Sequence, residues 1–144
     1  MKKLLLTILL VACGREEFDP RPADIKTYTN NITVTQSILE NVESVKRHMG
    51  INKSISVIIE DLEFNLGECR SYKTEGYIVM SSKSLQNEDV FNYILAHELS
   101  HCVFNLKHVE PKFEGSCQTE LMHYQVDVTN LECLRKVYSS LKKN

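Results

Sequence analysis

The stretch that decides the fold is HELSHCVFNLKH, His97 to His108. It closes a longer run, NEDVFNYILAHELSHCVFNL, which is apolar nearly all round from Val90 to Phe104. A helix that is hydrophobic on every side is a buried helix. Asn87 is suited to cap its start, and Glu88 and Asp89 fall in the first turn, where the helix dipole favours acids. Buried in such a helix, His97, Glu98 and His101 must be satisfied, because an unpaired polar group there costs roughly 2–7 kcal/mol.

His97 and His101 lie one turn apart on a shared face, so both imidazoles can reach one ion. Glu98 is offset by about 100° around the axis, where it can approach a water without becoming a ligand. This is the H-E-x-x-H arrangement, in which two imidazoles hold Zn²⁺ and the Glu is a general base. A structural zinc site takes four protein ligands, whereas a catalytic one takes three and keeps a place for water. Downstream of His101 the candidates are His108, Glu110, Glu114, Glu120 and His123. His108 reaches the ion if the helix stops soon after His101 and the chain turns back. Asn105 suits that stop, since Asn tolerates the left-handed conformation that ends helices. A carboxylate from a later element is the alternative, with Glu120 the best placed. Spacing leaves the two open.

Outward from the helix, ITVTQSILENVESVKRHMG places Ile32, Val34, Ile38, Leu39, Val42, Val45 and Met49 on one helical face. Thr33 or Thr35 caps it and Gly50 ends it. SISVIIEDLEF reads as a strand, and CRSYKTEGYIVMSSKSL as two extended pieces around Thr74-Glu75-Gly76. After His108 a loop through Pro111 and Gly115 leads to Cys117. A last helix is expected over roughly 127–142, carrying Val128, Leu131, Leu134, Val137, Tyr138 and Leu141. The sum is an α+β domain with a short twisted sheet, a buried central helix and a C-terminal helix.

The chain has 144 residues, 42% hydrophobic and 25% charged, with a formal charge of −2. That is one domain of ordinary globular composition. It carries no basic stripe, so nucleic acid is not an expected partner. The first residues, MKKLLLTILLVACG, join two lysines to an apolar run too short to span a bilayer, as in a secretory signal. Leu10-Val11-Ala12-Cys13 resembles a bacterial lipobox, which implies cleavage after residue 12 and a lipid on Cys13. The expected division is a signal over 1–12, a polar tether over 13–26 and a folded domain over 27–144. Export to the cell envelope, with anchoring to a membrane, follows from that division. An oxidising compartment in turn makes disulfides the favoured state of Cys69, Cys102, Cys117 and Cys133.

HELSHCVFNLKH followed by SCQTELMHYQ resembles the metzincin clan of zinc endopeptidases. Their long motif is H-E-x-x-H-x-x-G-x-x-H, followed by a Met-containing turn beneath the metal. ELMHY is similar to the Met-turn of the astacin branch. The resemblance implies a zincin-like fold and one Zn²⁺ on His97, His101 and His108. It gives Glu98 the role of base, makes Met122 the Met-turn residue, and makes Tyr124 a second catalytic residue that stabilises the transition state. The family Gly is absent and one extra residue precedes His108; Asn105 and a one-residue bulge are expected to absorb both departures. The resemblance further implies the bridge Cys102–Cys117, leaving Cys69 with Cys133. In this clan the substrate lies along an edge strand, for which GYIVMS is the candidate. The expected function is zinc-dependent hydrolysis of peptide or protein substrates by a monomer. Its rivals are a non-catalytic zinc-binding surface lipoprotein and a peptidase whose third ligand is Glu120.

Overall fold

The structure, a computed structural model, describes residues 36–72 and 75–141. Cys13, the signal and tether segments, Ile32, Val34 and the capping threonines lie outside the described residues. Within them the chain is a small α+β fold, with three α-helices and a short mixed sheet.

The first helix, α1 (Gln36–His48), buries Val42, Val45 and Met49. Leu39, expected on the same face, is instead exposed. Gly50 ends the helix at φ 72°, with its N–H on the Arg47 carbonyl and that of Ile51 on the Lys46 carbonyl. These paired bonds need a left-handed residue, which Gly adopts without a Cβ clash.

Three strands follow: β1 (Ser56–Glu60), β2 (Gly67–Tyr72) and β3 (Glu75–Ser81). Their spatial order is β1-β3-β2, with β1 parallel and β2 antiparallel to β3. This corrects the sequence expectation for GYIVMS: as β3 it is the central strand, paired on both sides, and cannot serve as an edge. Alternation along β3 divides the sheet into two faces. Ile78 and Met80 point into the main core, while Tyr77 and Val79 join Ile58 and Leu62 in a second cluster. On β2, Gly67 is registered with Met80 and Cys69 with Ile78, so both share the main-core face.

Helix α2 (Glu88–Phe104) lies against that face, and every residue from Val90 to Ser100 except Asn92 is buried. Leu95 and Leu99 are wholly buried, which contributes roughly 1.5–3 kcal/mol each. Asn87 caps the helix as expected, its side chain accepting from the amides of Asp89 and Val90. A two-stranded hairpin, β4 (Phe113–Glu114) and β5 (Cys117–Gln118), turns at Gly115, φ 63°. The last helix, α3 (Leu131–Ser140), packs Leu134 and Val137 into the core. It starts later than expected. Asp127 closes a turn on the Thr129 amide, and Asn130 then caps the helix by accepting from the Cys133 amide.

Two disulfides join these elements, as the cysteine content predicted, but the pairing differs. Cys69 is bonded to Cys102, and Cys117 to Cys133, with Cα–Cα separations of 5.6 and 5.2 Å. The expected Cys102–Cys117 and Cys69–Cys133 bridges are therefore wrong. The reason is directional: Cys102 faces the sheet, where its sulfur lies against Gly76 and Tyr77, while Cys117 on the hairpin faces α3.

Candidate metal centre

His97 and His101 arise from the buried helix, one turn apart, and the helix ends where the second needs it to. Asn105 adopts φ 54°, ψ 32°, and its N–H returns to the His101 carbonyl. It is the only non-glycine residue with positive φ among the described residues. The turn brings the Leu106 carbonyl within 2.7 Å of His101 Nδ1 and sends the chain back, so that His108 faces the helix. Asn105 thus performs the reversal expected of it.

The three imidazoles converge. Nε2 of His97 stands 3.2 Å from Nε2 of both His101 and His108, and the latter two are 3.1 Å apart. These residues form the group able to hold a metal ion among the described residues. Their protonation states follow from their outer partners. A carbonyl oxygen can only accept, so His97 Nδ1 donates to the Leu121 carbonyl at 2.7 Å and His101 Nδ1 donates to that of Leu106. In the neutral rings Nε2 then carries a lone pair, and lone pairs brought this close repel unless a cation lies between them. Ligands held at 2.0–2.1 Å by a tetrahedral zinc stand about 3.3–3.4 Å apart. The triangle fits such an ion.

Burial pushes His97 down to about 4; its neighbours His101, His108 and His123 reinforce the shift, and the Leu121 carbonyl opposes it. His108 is lowered for the same leading reason, with His101 and His123 adding to it. Both rings are thereby held neutral, as a ligand must be.

Two backbone carbonyls organise the three histidines, and neither is visible in side-chain identities. Leu121 holds His97, and Met122 accepts from Val109 N–H at 2.9 Å, which pins the chain beside His108. The turn at Leu121-Met122 therefore acts through its main chain, while the Met122 side chain is buried in the core. Orientation of metal ligands by such outer contacts is a general requirement of metal sites.

Glu98 points towards β2 and is 3% exposed. The Cys69 amide donates to its carboxylate; the second oxygen, Oε2, is buried with no hydrogen-bond partner among the described residues. Burial pushes Glu98 up to about 8; the nearby Glu68 charge adds to this and the Cys69 amide opposes it. Glu98 thus follows His97 directly on the helix and keeps one buried carboxylate oxygen unpartnered among the described residues, a feature that calls for an explanation. A cation held there favours the ionised carboxylate.

Gly67 makes this approach possible. A methyl placed on it would stand 2.7 Å from Ile94 Cγ2 and 2.9 Å from Glu98 Cγ. Gly67→Ala is therefore expected to push β2 from the helix at a cost of about 1–3 kcal/mol, read from the urea midpoint. The metal affinity of the histidines, which are not among the three atoms nearest to the added methyl, should be unchanged. An unaltered midpoint would show that the strand has room to spare.

Tyr124 lies at the rim, half-exposed, its ring centroid 6.4 Å from that of His108. His123 packs against it with ring centroids 4.4 Å apart and planes tilted by 42°, its Nδ1 2.6 Å from the Gln125 carbonyl, and is not among the converging group. Glu120 is not brought to the site. Its carboxylate pairs with Lys112 at 3.0 Å, and Glu114 likewise pairs with Lys136 at 2.7 Å. Of the two alternatives for the third position, the structure brings His108, the expected one, to His97 and His101 and leaves Glu120 outside the group. Sequence reasoning missed Gly67, the Cys69 amide and the Leu106 and Leu121 carbonyls. A Gly two residues before a Cys, on the same face of a strand, was the one available signal.

No protein-family model, curated protein or solved structure matches this chain significantly.

Proposed function

We propose that the chain is a zinc-dependent peptidase of the metzincin type, exported and anchored by a lipid on Cys13, acting as a monomer on peptide or protein substrates. One observation carries the reading: the Nε2 atoms of three imidazoles converge within 3.2 Å of one another, and Glu98, the residue after His97 on the helix, keeps a buried, unpartnered carboxylate oxygen. A purely structural metal site has no use for that carboxylate. When bound, zinc supplies a Lewis acid that polarises a carbonyl oxygen and brings the pKa of water towards neutrality.

His97, His101 and His108 hold and orient the ion, with the Leu106 and Leu121 carbonyls fixing the tautomers of the first two. Glu98 takes the proton of the attacking water on its free oxygen and returns it to the leaving amine. The Tyr124 hydroxyl, on a half-exposed side chain able to swing inward, donates to the carbonyl oxygen as that oxygen gains charge. An extended substrate is placed along β2, which borders Glu98 and carries no further strand among the described residues. That role passes to β2 from GYIVMS. Export is supported by the two disulfides, which persist in oxidising compartments.

The test is cleavage of an unfolded polypeptide such as reduced casein by the purified chain, followed by mass spectrometry. Peptide-bond cleavage that a chelator stops and zinc restores is the expected result. A protein that holds one zinc and cleaves nothing would be the non-catalytic metal-binding lipoprotein instead.

A further inference from the structure

Cys69 touches the candidate site twice. Its backbone N–H donates to the Glu98 carboxylate, and its side chain is bonded to Cys102, the residue after ligand His101. Both attachments follow from one orientation. Cys69 is paired with Ile78 on the face of the sheet that meets α2, and Gly67, two residues earlier on that face, lets the strand approach Glu98.

The strand needs such an attachment. Among the described residues β2 is an edge, held by ladder bonds to β3 on one side only. An edge strand with one partner is free to splay, and here a splay would withdraw the donor from the buried carboxylate. The bridge spans 33 residues of sequence and crosses directly from this edge to the helix that carries the ligands. The second bridge, Cys117–Cys133, joins the hairpin to α3 and touches neither Glu98 nor a ligand.

We infer that the Cys69–Cys102 disulfide is a positioning element for Glu98, holding the Cys69 amide on its carboxylate and so fixing the base relative to His97 and His101. The inference rests on the peptidase reading for its effect on turnover, though not for its effect on Cys69 itself. Reduction by a dithiol transfers two electrons and two protons to Cys69 and Cys102, leaving two thiols and an oxidised dithiol. No atom of Glu98 or of the histidines changes. The tripod still holds its ion, but the base is no longer fixed.

The experiment compares the full chain with Cys102→Ala and with Cys133→Ala, each of which breaks one bridge and leaves one free thiol. Three readouts are taken: the visible spectrum and affinity of bound cobalt(II), hydrogen exchange of the Cys69 amide, and kcat and KM on an unfolded polypeptide. Both variants are expected to lose stability and to bind cobalt(II) as the wild type does. In Cys102→Ala alone, exchange at Cys69 should accelerate by at least about tenfold. There alone kcat should fall by about 10- to 100-fold, the usual cost of a displaced catalytic group, with KM little changed. Wild-type exchange at Cys69 in that variant, or an equal kcat loss in both, overturns the inference.

Should Cys102→Ala not fold, dithiol reduction of the folded wild type is followed by the same exchange and cobalt readouts. Should the wild type cleave nothing, the peptidase reading fails, and exchange at Cys69 still decides whether the bridge holds that amide in place.

Discussion

His108→Ala is expected to abolish tight metal binding while leaving the fold in place. The variant removes one of three imidazole Nε2 atoms that meet within 3.2 Å, so the remaining pair must hold an ion that asks for at least one more protein ligand. Loss of an outer partner of a ligand already costs roughly 10–100-fold in affinity; loss of the ligand itself should exceed that. The scaffold should not notice. His108 is half-buried in a loop, and the bond that ties this loop to the Met122 carbonyl is made by the backbone of Val109.

The two effects separate cleanly in a thermal scan. Zinc at a hundred times its dissociation constant adds about 2.7 kcal/mol to wild-type stability, and it should add nothing to the variant. In a chelator, wild type and variant should unfold together. Competition titration gives the affinity directly. Wild-type affinity in His108→Ala would send the third ligand elsewhere, and Glu120→Ala, now expected to be silent because of its Lys112 pair, would be the variant to examine next.

The parts of this site that the sequence displays are those determined within one or two helical turns. His97, Glu98 and His101 are placed by helical spacing, and Asn87 and Asn105 end the helix by their own side-chain and backbone preferences. His108 follows from Asn105, since a left-handed residue there turns the chain back. What the sequence conceals is set by pairing across the fold. β2 and β3 both read as extended, and nothing in GYIVMS tells that β1 pairs beside it in parallel from more than twenty residues away. The disulfide pairing is another such case: the resemblance implied Cys102–Cys117, with Cys69 left to Cys133. The side chains in fact leave on different sides, one to the sheet and one to α3. Carbonyls such as those of Leu106 and Leu121 carry no residue signature at all; any residue could supply them.

Glu98→Gln should reverse the pattern of His108→Ala: full metal occupancy with peptide hydrolysis reduced by about 10²–10⁴-fold, the usual contribution of a positioned acid–base group. The amide has the shape of the carboxyl it replaces, and its oxygen can still accept from Cys69 N–H, so neither packing nor the strand should move. Proton transfer is all that is removed. The same variant tests the burial of this group through pH. In the chelated protein Glu98 is pushed up to about 8, above the value it takes when unfolded, so the native state binds the extra proton between those limits. Stability contributed by the neutral acid is then present at low pH and declines as pH rises towards 8. Glu98→Gln should flatten that decline, leaving the variant the more stable of the two at pH 8 in a chelator, as read from urea midpoints across the range. With zinc bound, the cation favours the ionised carboxylate and the difference should shrink. A variant that cleaves peptide at the wild-type rate would remove Glu98 from the reaction. A variant that loses its zinc would mean that Glu98 is a ligand, and the site would then have to be rebuilt around four protein groups rather than three.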